Sequence, residues 1–412
     1  HNDLAFRIDG EKLCREHAER TYVIIYLNIR KFKQFNEHFG VQHGDELLRQ
    51  ISQSLRDLLQ EGELLCRNAG DHFYLLLACA DEDSVRRRLT DMLAELERRL
   101  SPQFAFEQVR FAQGAYLIQE LDADFMLLTD RAKAASAYAQ GDDHCQFYDD
   151  AMGKRLEREH ALEVSFQSAI ENHEFRLYIQ PKVQPGQGTA SGGEVLVRWQ
   201  HPAFGLLFPG EFIPLFERDG KICDLDFYMF EETCRLLKSW LAEGRAIPLS
   251  VNLSRAHLIS NDFAFLDRFK AIKDRYEIPD GFIELELMES LMLERRDIRL
   301  VTAMIDRIRE MGFLCSIDDF GFGYSSLALL KDLNVTAVKL DRQFFLDENE
   351  KSWLVVEQLI RLAHSLDMTV VAEGIEEQAQ VEQLYARGCD LVQGYVYAKP
   401  LPASDFACWS GQ

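Results

Sequence analysis

From residue 175 onward the chain repeats one rhythm, and that rhythm restricts the fold more than any other feature. A short apolar strand is followed by a loop and, in most repeats, an amphipathic helix. The strands read FRLYIQPKV, GGEVLVRW, IPLSVNLS, FIELELMES, FLCSIDDF, AVKLD, TVVAEG and DLVQGYVY. Between them lie helical patterns such as FYMFEETCRLLKSWLAEG and RLVTAMIDRIREMG, the latter closed by Gly312. Eight strands over about 230 residues, most followed by a helix, predict a (β/α)8 barrel. The glycine-rich stretch Gly186–Gly193 reads as the most flexible loop of this half.

The same strands carry polar residues at or near their ends: Glu194, Asn252, Glu286, Asp318, Asp319, Lys339, Glu373 and Gln393. Burying an unpaired charge is expensive, so strands normally exclude such groups from a core. In a barrel, the side chains at the C-terminal strand ends converge on one mouth. Crowded carboxylates repel and must take up protons or hold cations. Oxygen ligands without histidine or cysteine favour Mg²⁺ or Mn²⁺ over zinc. Two such ions beside a lysine suit in-line attack on a phosphodiester. Each residue alone has a plainer reading. Glu194 is a surface acid, Asn252 a turn residue, and Glu373, just before a glycine, a cap for the next helix. Adjacent aspartates before two glycines are harder to dismiss, because they put acids at a tight turn. Jointly the accidental reading weakens. Spacing does not choose between Glu284 and Glu286.

Lys and Arg number 46 against 68 Asp and Glu, a net charge of −22, which argues against a polyanionic nucleic acid as partner. The nine cysteines form no CxxC pair and suggest reduced thiols in a cytoplasmic setting. No apolar run reaches the roughly 18 residues needed to cross a membrane. The chain opens with His rather than Met, so a membrane attachment is expected only through a missing upstream region.

Residues 1–150 alternate strand-like runs (YVIIYLNI, HFYLLLACA, VRFAQGAYLI, CQFYDD) with helical patterns, predicting a compact α+β domain. The charged amphipathic stretch over 151–170 reads as a connecting helix.

Over 160–412 the chain resembles an EAL domain, the barrel phosphodiesterase that opens cyclic di-GMP to linear pGpG. The resemblance runs in order through YIQP, EVLVRW, GEFIPLFE, VNLS, ELMES, IDDFGFGYSSL, VKLD, VVAEGIE, GCDLVQGY and KPLP. It implies that Glu194, Asn252, Glu286 and Asp318 bind one divalent cation, and so selects Glu286 over Glu284. Asp318, Asp319 and Glu373 would hold a second cation and orient the attacking water, with Lys339 beside the water and phosphate. Gln180, Leu196, Arg198 and Gln393 would contact the dinucleotide, Glu289 would brace the DDFG loop, and Glu376 would serve the end of the site. The family also implies a homodimer. Three residues depart from its pattern: Val195 for alanine, and Met288 and Phe322 for threonines. No implied ligand is lost.

Residues 1–150 resemble a GGDEF domain, the diguanylate cyclase fold, in degenerate form. The signature window reads Arg67-Asn68-Ala69-Gly70-Asp71-His72-Phe73, with His72 in place of the signature glutamate. Asn28 stands where the family has a metal-binding aspartate, and Gln60 and Glu63 occupy the product-inhibition positions. Cyclase chemistry needs Mg²⁺ on the triphosphate, so catalysis is expected to fail. Asn36 and Asp45 match the guanine-contacting positions, which makes GTP a candidate regulatory ligand. The expectation is a metal-dependent cyclic di-GMP phosphodiesterase regulated by an inactive cyclase domain. The alternative is a non-catalytic cyclic di-GMP receptor.

Overall fold

The computed structural model describes residues 3–409 apart from 18, 69, 101–103, 105–108, 120–123, 140–144, 259–262, 290–297, 322–329 and 347–348. The chain divides into two compact units, His1–Ala161 and Leu162–Gln412.

The first unit is the expected α+β domain, with helices on a mostly antiparallel sheet. A five-stranded sheet has the order β2-β3-β1-β4-β5. Its strands are β1 (Tyr22–Ile29), β2 (Leu64–Arg67), β3 (His72–Ala78), β4 (Phe111–Leu117) and β5 (Gln146–Phe147). Helices α1 (Asp3–Glu16), α2 (Phe32–Phe39), α3 (Val41–Asp57), α4 (Glu82–Leu100) and α5 (Phe125–Ser136) complete it. β1 is central and covered on both faces, so its sequence is a near-continuous apolar run rather than an alternation. Strand β2 escaped the sequence reading, because four residues are too few to show a period. Helix α6 runs unbroken from Asp150 to Glu171.

The second unit is a closed eight-stranded barrel. Its ring is β6 (Phe175–Val183), β14 (Leu391–Val392), β13 (Thr369–Ala372), β12 (Ala337–Leu340), β11 (Leu314–Phe320), β10 (Ile283–Met288), β9 (Leu249–Asn252) and β7 (Ala190–His201), which pairs back to β6. Short strands β8 (Gly205–Leu207) and β15 (Leu401–Pro402) extend it at β7 and β6. One feature differs from the expected all-parallel ring: β6 runs antiparallel to both its neighbours, β7 and β14. The glycine-rich connection explains this. A parallel return needs a crossover of a dozen or more residues, and a six-residue link between Val183 and Ala190 allows only a hairpin.

The helices packing on the ring are α7 (Pro209–Asp219), α8 (Ile222–Ala242), α9 (Ala264–Arg275), α10 (Ile298–Glu310), α11 (Glu350–Ser365), α12 (Gln378–Ala386) and α13 (Ala403–Trp409). Gly312 ends the α10 segment at φ 80°, the left-handed conformation expected there. Alternation along β7 sorts its side chains. Val195 and Trp199 enter the apolar core, where Trp199 packs on Phe175, Phe212 and Phe216. Glu194, Leu196 and Arg198 take the opposite face.

Candidate functional site

Register explains how acids from distant segments meet. Gln180 pairs with Glu194 across β6 and β7, Glu286 pairs with Asn252, and Met288 pairs with Asp318. Each pairing places two side chains on one face at one level of the barrel.

At the centre stands Lys339, fully buried on β12. Its Nζ lies 2.7 Å from Glu286 Oε2, 2.7 Å from Glu373 Oε1, 3.1 Å from Asp318 Oδ1 and 3.3 Å from Glu194 Oε2. An ammonium has three N–H donors, so four carboxylates cannot all be hydrogen-bonded to it at once. It donates to Glu194 and Glu286, while Asp318 and Glu373 are held by charge alone. Glu194 also accepts from Asn252 Nδ2 at 3.0 Å and from Gln393 Nε2 at 2.6 Å. Gln393 donates further to Gln180 Oε1 at 3.2 Å, while its own Oε1 is buried with no hydrogen-bond partner among the described residues.

Asp318 and Asp319 are neighbours, and a regular strand would send them to opposite faces. The β11–β12 pairing slips between Ile317 and Phe320, and Asp319 adopts φ 54°. This bulge turns both acids inward at a left-handed conformation that costs a non-glycine residue on the order of 1–3 kcal/mol. Ligand oxygens of Asp318, Asp319 and Glu373 then all lie within 4.8 Å of one another, close enough to share one metal ion. Two glycines fit the turn chemistry. A Cβ on Gly374 would fall 2.3 Å from Arg342 Cβ, and one on Gly321 would fall 2.2 Å from the Phe344 ring. Glu289 is buried and accepts the Gly321 N–H at 2.9 Å, while its own N–H donates to the Asp318 carbonyl at 3.0 Å.

The charges resolve unequally. Burial pushes the Glu286 carboxyl up, but Lys182 and Lys339 outweigh it together and hold it at about 2. Asp318 shares one lysine with three other acids. Burial, with Glu286, Glu194 and Asp319 nearby, raises it to about 6 against the opposing pull of Lys339. Burial, with Asp318, Glu194 and Glu286 nearby, pushes Glu373 well above the usual carboxylate range against the pull of Lys339. Burial and the nearby Asp341 raise Asp319. An acid with a raised folded value stabilises the fold below its ordinary value and loses that contribution as pH climbs through the folded value. For Asp318 the window runs from about 4 to about 6, and its deprotonation costs on the order of 3 kcal/mol. A bound divalent cation offsets that cost. The melting-temperature gain from Mn²⁺ over EDTA is therefore expected to grow between about pH 5 and about pH 8. A gain independent of pH would refute this charge assignment.

The remaining expected residues lie apart from this cluster. Arg198 is buried higher on β7, over the rings of Phe208 at 5.0 Å and Tyr178 at 5.5 Å. No carboxylate pairs with it among the described residues, and burial lowers its pKa. Leu196 is half-buried and lines a cavity of about 230 Å³ with Asn252, Met229 and Asp226. Glu376 is exposed, and among the described residues no contact joins it to the acids. Glu373 does not cap the following helix; Glu377 occupies that position. Val195 is buried behind the strand, and its added bulk faces the same cavity. Met288 is exposed, and Phe322 lies outside the described residues. In the first unit Asn36 sits on α2 and Asp45 is exposed on α3.

Three participants were not anticipated. Lys182 on β6 bonds Glu286 and Glu284, Asp341 lies beside Asp319, and half-buried Asp226 accepts from His257 Nε2 at 3.1 Å. A lysine inside the apolar run FRLYIQPKV was the available signal for the first. Asp341 ends the quoted strand AVKLD, and Asp226 directly precedes a quoted helical pattern; neither was singled out there.

Fold and site together define an acid-lined (β/α)8 barrel. The EAL domain family matches residues 163–400, and the diguanylate cyclase GGDEF domain family matches residues 2–142. The chain belongs to the EAL domain family, with a GGDEF domain ahead of the EAL domain. Cyclic di-GMP phosphodiesterase NbdA of Pseudomonas aeruginosa is 31% identical over 399 residues, 94% of this chain and 50% of that protein. Bifunctional diguanylate cyclase/cyclic di-GMP phosphodiesterase MucR of the same organism is 30% identical over 394 residues, 93% of this chain and 56% of that protein. The chain thus spans about half the length of the curated relatives it matches. The solved PaMucR phosphodiesterase in complex with c-di-GMP is 34% identical with a TM-score of 0.56, covering 60% of this chain and 99% of that one. Among the described residues no helix is long and apolar enough to cross a membrane.

Proposed function

We propose that the barrel hydrolyses cyclic di-GMP to linear pGpG with two divalent cations, Mg²⁺ or Mn²⁺. The observation that carries this reading is the set of carboxylates gathered on Lys339 from β7, β10, β11 and the end of β13. The donor set is all oxygen, and the acids outnumber the lysines among them, which fits hard cations. Glu194, Asn252, Glu286 and Asp318 would hold one ion, and Asp318, Asp319 and Glu373 the other. When bound, such a pair supplies charge stabilisation on the phosphoryl oxygens and a more acidic water.

The side chains supply the rest. Glu373 and Asp319 orient the water opposite the scissile P–O3′ bond, and Lys339 adds positive charge beside the phosphate as that bond breaks. Gln393, whose Oε1 has no hydrogen-bond partner among the described residues, and Gln180 bind the dinucleotide between them. Arg198 reaches a phosphate, and Leu196 packs against a base. Glu289 holds the DDFG loop in place, and Glu376 serves the rim. The chain is read as a cytoplasmic unit that pairs as a homodimer.

Release of pGpG from cyclic di-GMP in Mg²⁺ or Mn²⁺ tests the proposal. Tight binding without turnover in either metal would favour a receptor instead.

For the first unit we infer a regulatory role without cyclase activity. Asn28 and His72 face each other in register at the β1–β3 edge, where the chemistry calls for two acids. His72 Nδ1 lies 2.5 Å from the Tyr26 hydroxyl, and the rings stack. GTP with Mg²⁺ is expected to yield no cyclic di-GMP, measured by chromatography of the products. Accumulation of the dinucleotide would show the domain to be active, as the name of its relative MucR describes. GTP at Asn36 and Asp45 is tested by adding it to the hydrolysis assay.

A further inference from the structure

The two oxygens of Glu286 are gripped by different lysines from different strands. Lys339 on β12 bonds Oε2 at 2.7 Å, and Lys182 on β6 bonds Oε1 at 2.8 Å. Lys182 also bonds Glu284 Oε1 at 3.0 Å, which accepts in turn from Ser316 Oγ at 2.9 Å. Both lysines and Glu286 are buried. A carboxylate held at one oxygen can pivot about its Cγ–Cδ bond; held at both, its plane and position are fixed. The hairpin makes this grip available. Because β6 runs opposite to the other strands, Lys182 enters from the N-terminal end of the barrel, below the level of Gln180 and Glu194. There it lines a cavity of about 240 Å³ with Ser250, Glu284 and Leu314.

We propose that Lys182 is a positioning residue of the catalytic site, fixing Glu286 and, through it, the ammonium of Lys339. This inference rests on the reading of Glu286 as a metal ligand. Its role differs from that of a plain counter-charge for Glu284, which would leave the metal site indifferent to its loss. Partners that orient metal ligands typically contribute 10–100-fold to metal affinity or activity.

The test compares Lys182→Met with the double variant Lys182→Met/Glu284→Gln, which removes one charge of each sign and so keeps the buried balance. The open cavity leaves room for the methionine. Mn²⁺ affinity is read by calorimetry on the whole chain, alongside melting temperature in EDTA and the kcat and KM for cyclic di-GMP. In the double variant, melting is expected to recover towards wild type while Mn²⁺ affinity stays roughly 10- to 100-fold weaker. The kcat is expected to fall with it, and KM to move little. Recovery of both melting and affinity would reduce Lys182 to a counter-charge and overturn the proposal. Tighter Mn²⁺ binding would overturn it too, by making Lys182 a competitor of the cation. Failure of the underlying reading looks different: the wild-type chain itself would neither bind Mn²⁺ nor hydrolyse the dinucleotide, and the inference would fall with it.

Discussion

Glu194→Ala is expected to eliminate hydrolysis of cyclic di-GMP, lowering kcat roughly a thousandfold or more while the barrel stays folded. The reason is its place at a junction. Its two oxygens receive Asn252, Gln393 and Lys339, and under the proposed reading it also holds a cation. Losing a metal ligand forfeits several kcal/mol of transition-state charge stabilisation, and each 1.36 kcal/mol is a factor of ten in rate. The fold survives because the substitution removes one acid from a cluster with an excess of acids. Lys339 keeps three other carboxylates. Product chromatography beside a thermal melt checks both halves, and a variant retaining wild-type turnover would exclude Glu194 from the metal site.

Lys339→Met is expected to damage stability as well as activity. The lysine is the shared counter-ion of Glu194, Glu286, Asp318 and Glu373, and it is fully buried. Removing one partner from a buried ion pair costs about 3–5 kcal/mol, because the other charge stays behind unpaired. Four acids share the loss here, and of these four Lys182 retains a hold on Glu286 alone. Part of the cost is expected to return as the acids take up protons on lowering the pH, and part on adding Mn²⁺. The signature is therefore a large melting-temperature drop in EDTA that Mn²⁺ reverses without restoring turnover. An unchanged melt in EDTA would mean that the acids do not depend on this lysine for neutralisation.

Much of the site was legible because it violates a rule of its surroundings. Ionised and amide groups inside apolar strands stand out wherever the pattern is read, and Glu194, Lys339 and Gln393 are such cases. The (β/α)8 architecture was legible for a similar reason, since repeated strand–helix units leave few topologies. Residues whose role depends on what another strand brings to them were not legible. Lys182 looks like any strand lysine until Glu286 is placed beside it, and Asp226 looks like a polar position on a helix. Arg198 and Glu376 came from family resemblance alone, and their surroundings add a ring-stacked guanidinium in one case and an exposed rim acid in the other.

By itself the sequence determined that the second half closes into an acid-lined barrel of the EAL family, because hydrophobic period and motif order are local properties of the chain. Three things were decided only in the folded protein. The short glycine-rich link turned β6 antiparallel, since six residues cannot carry a parallel crossover. The bulge at Asp318 and Asp319 put adjacent acids on one face against the two-residue period of a strand. The family resemblance already selected Glu286 over Glu284, but its bridge between two buried lysines waited for the fold. Glu286 touches both Lys182 and Lys339, whereas Glu284, on the same face two residues earlier, reaches Lys182 alone. The first follows from the length of one short link, whereas the other two depend on register between strands apart in the chain, and register is a property of pairs of segments that no single segment contains.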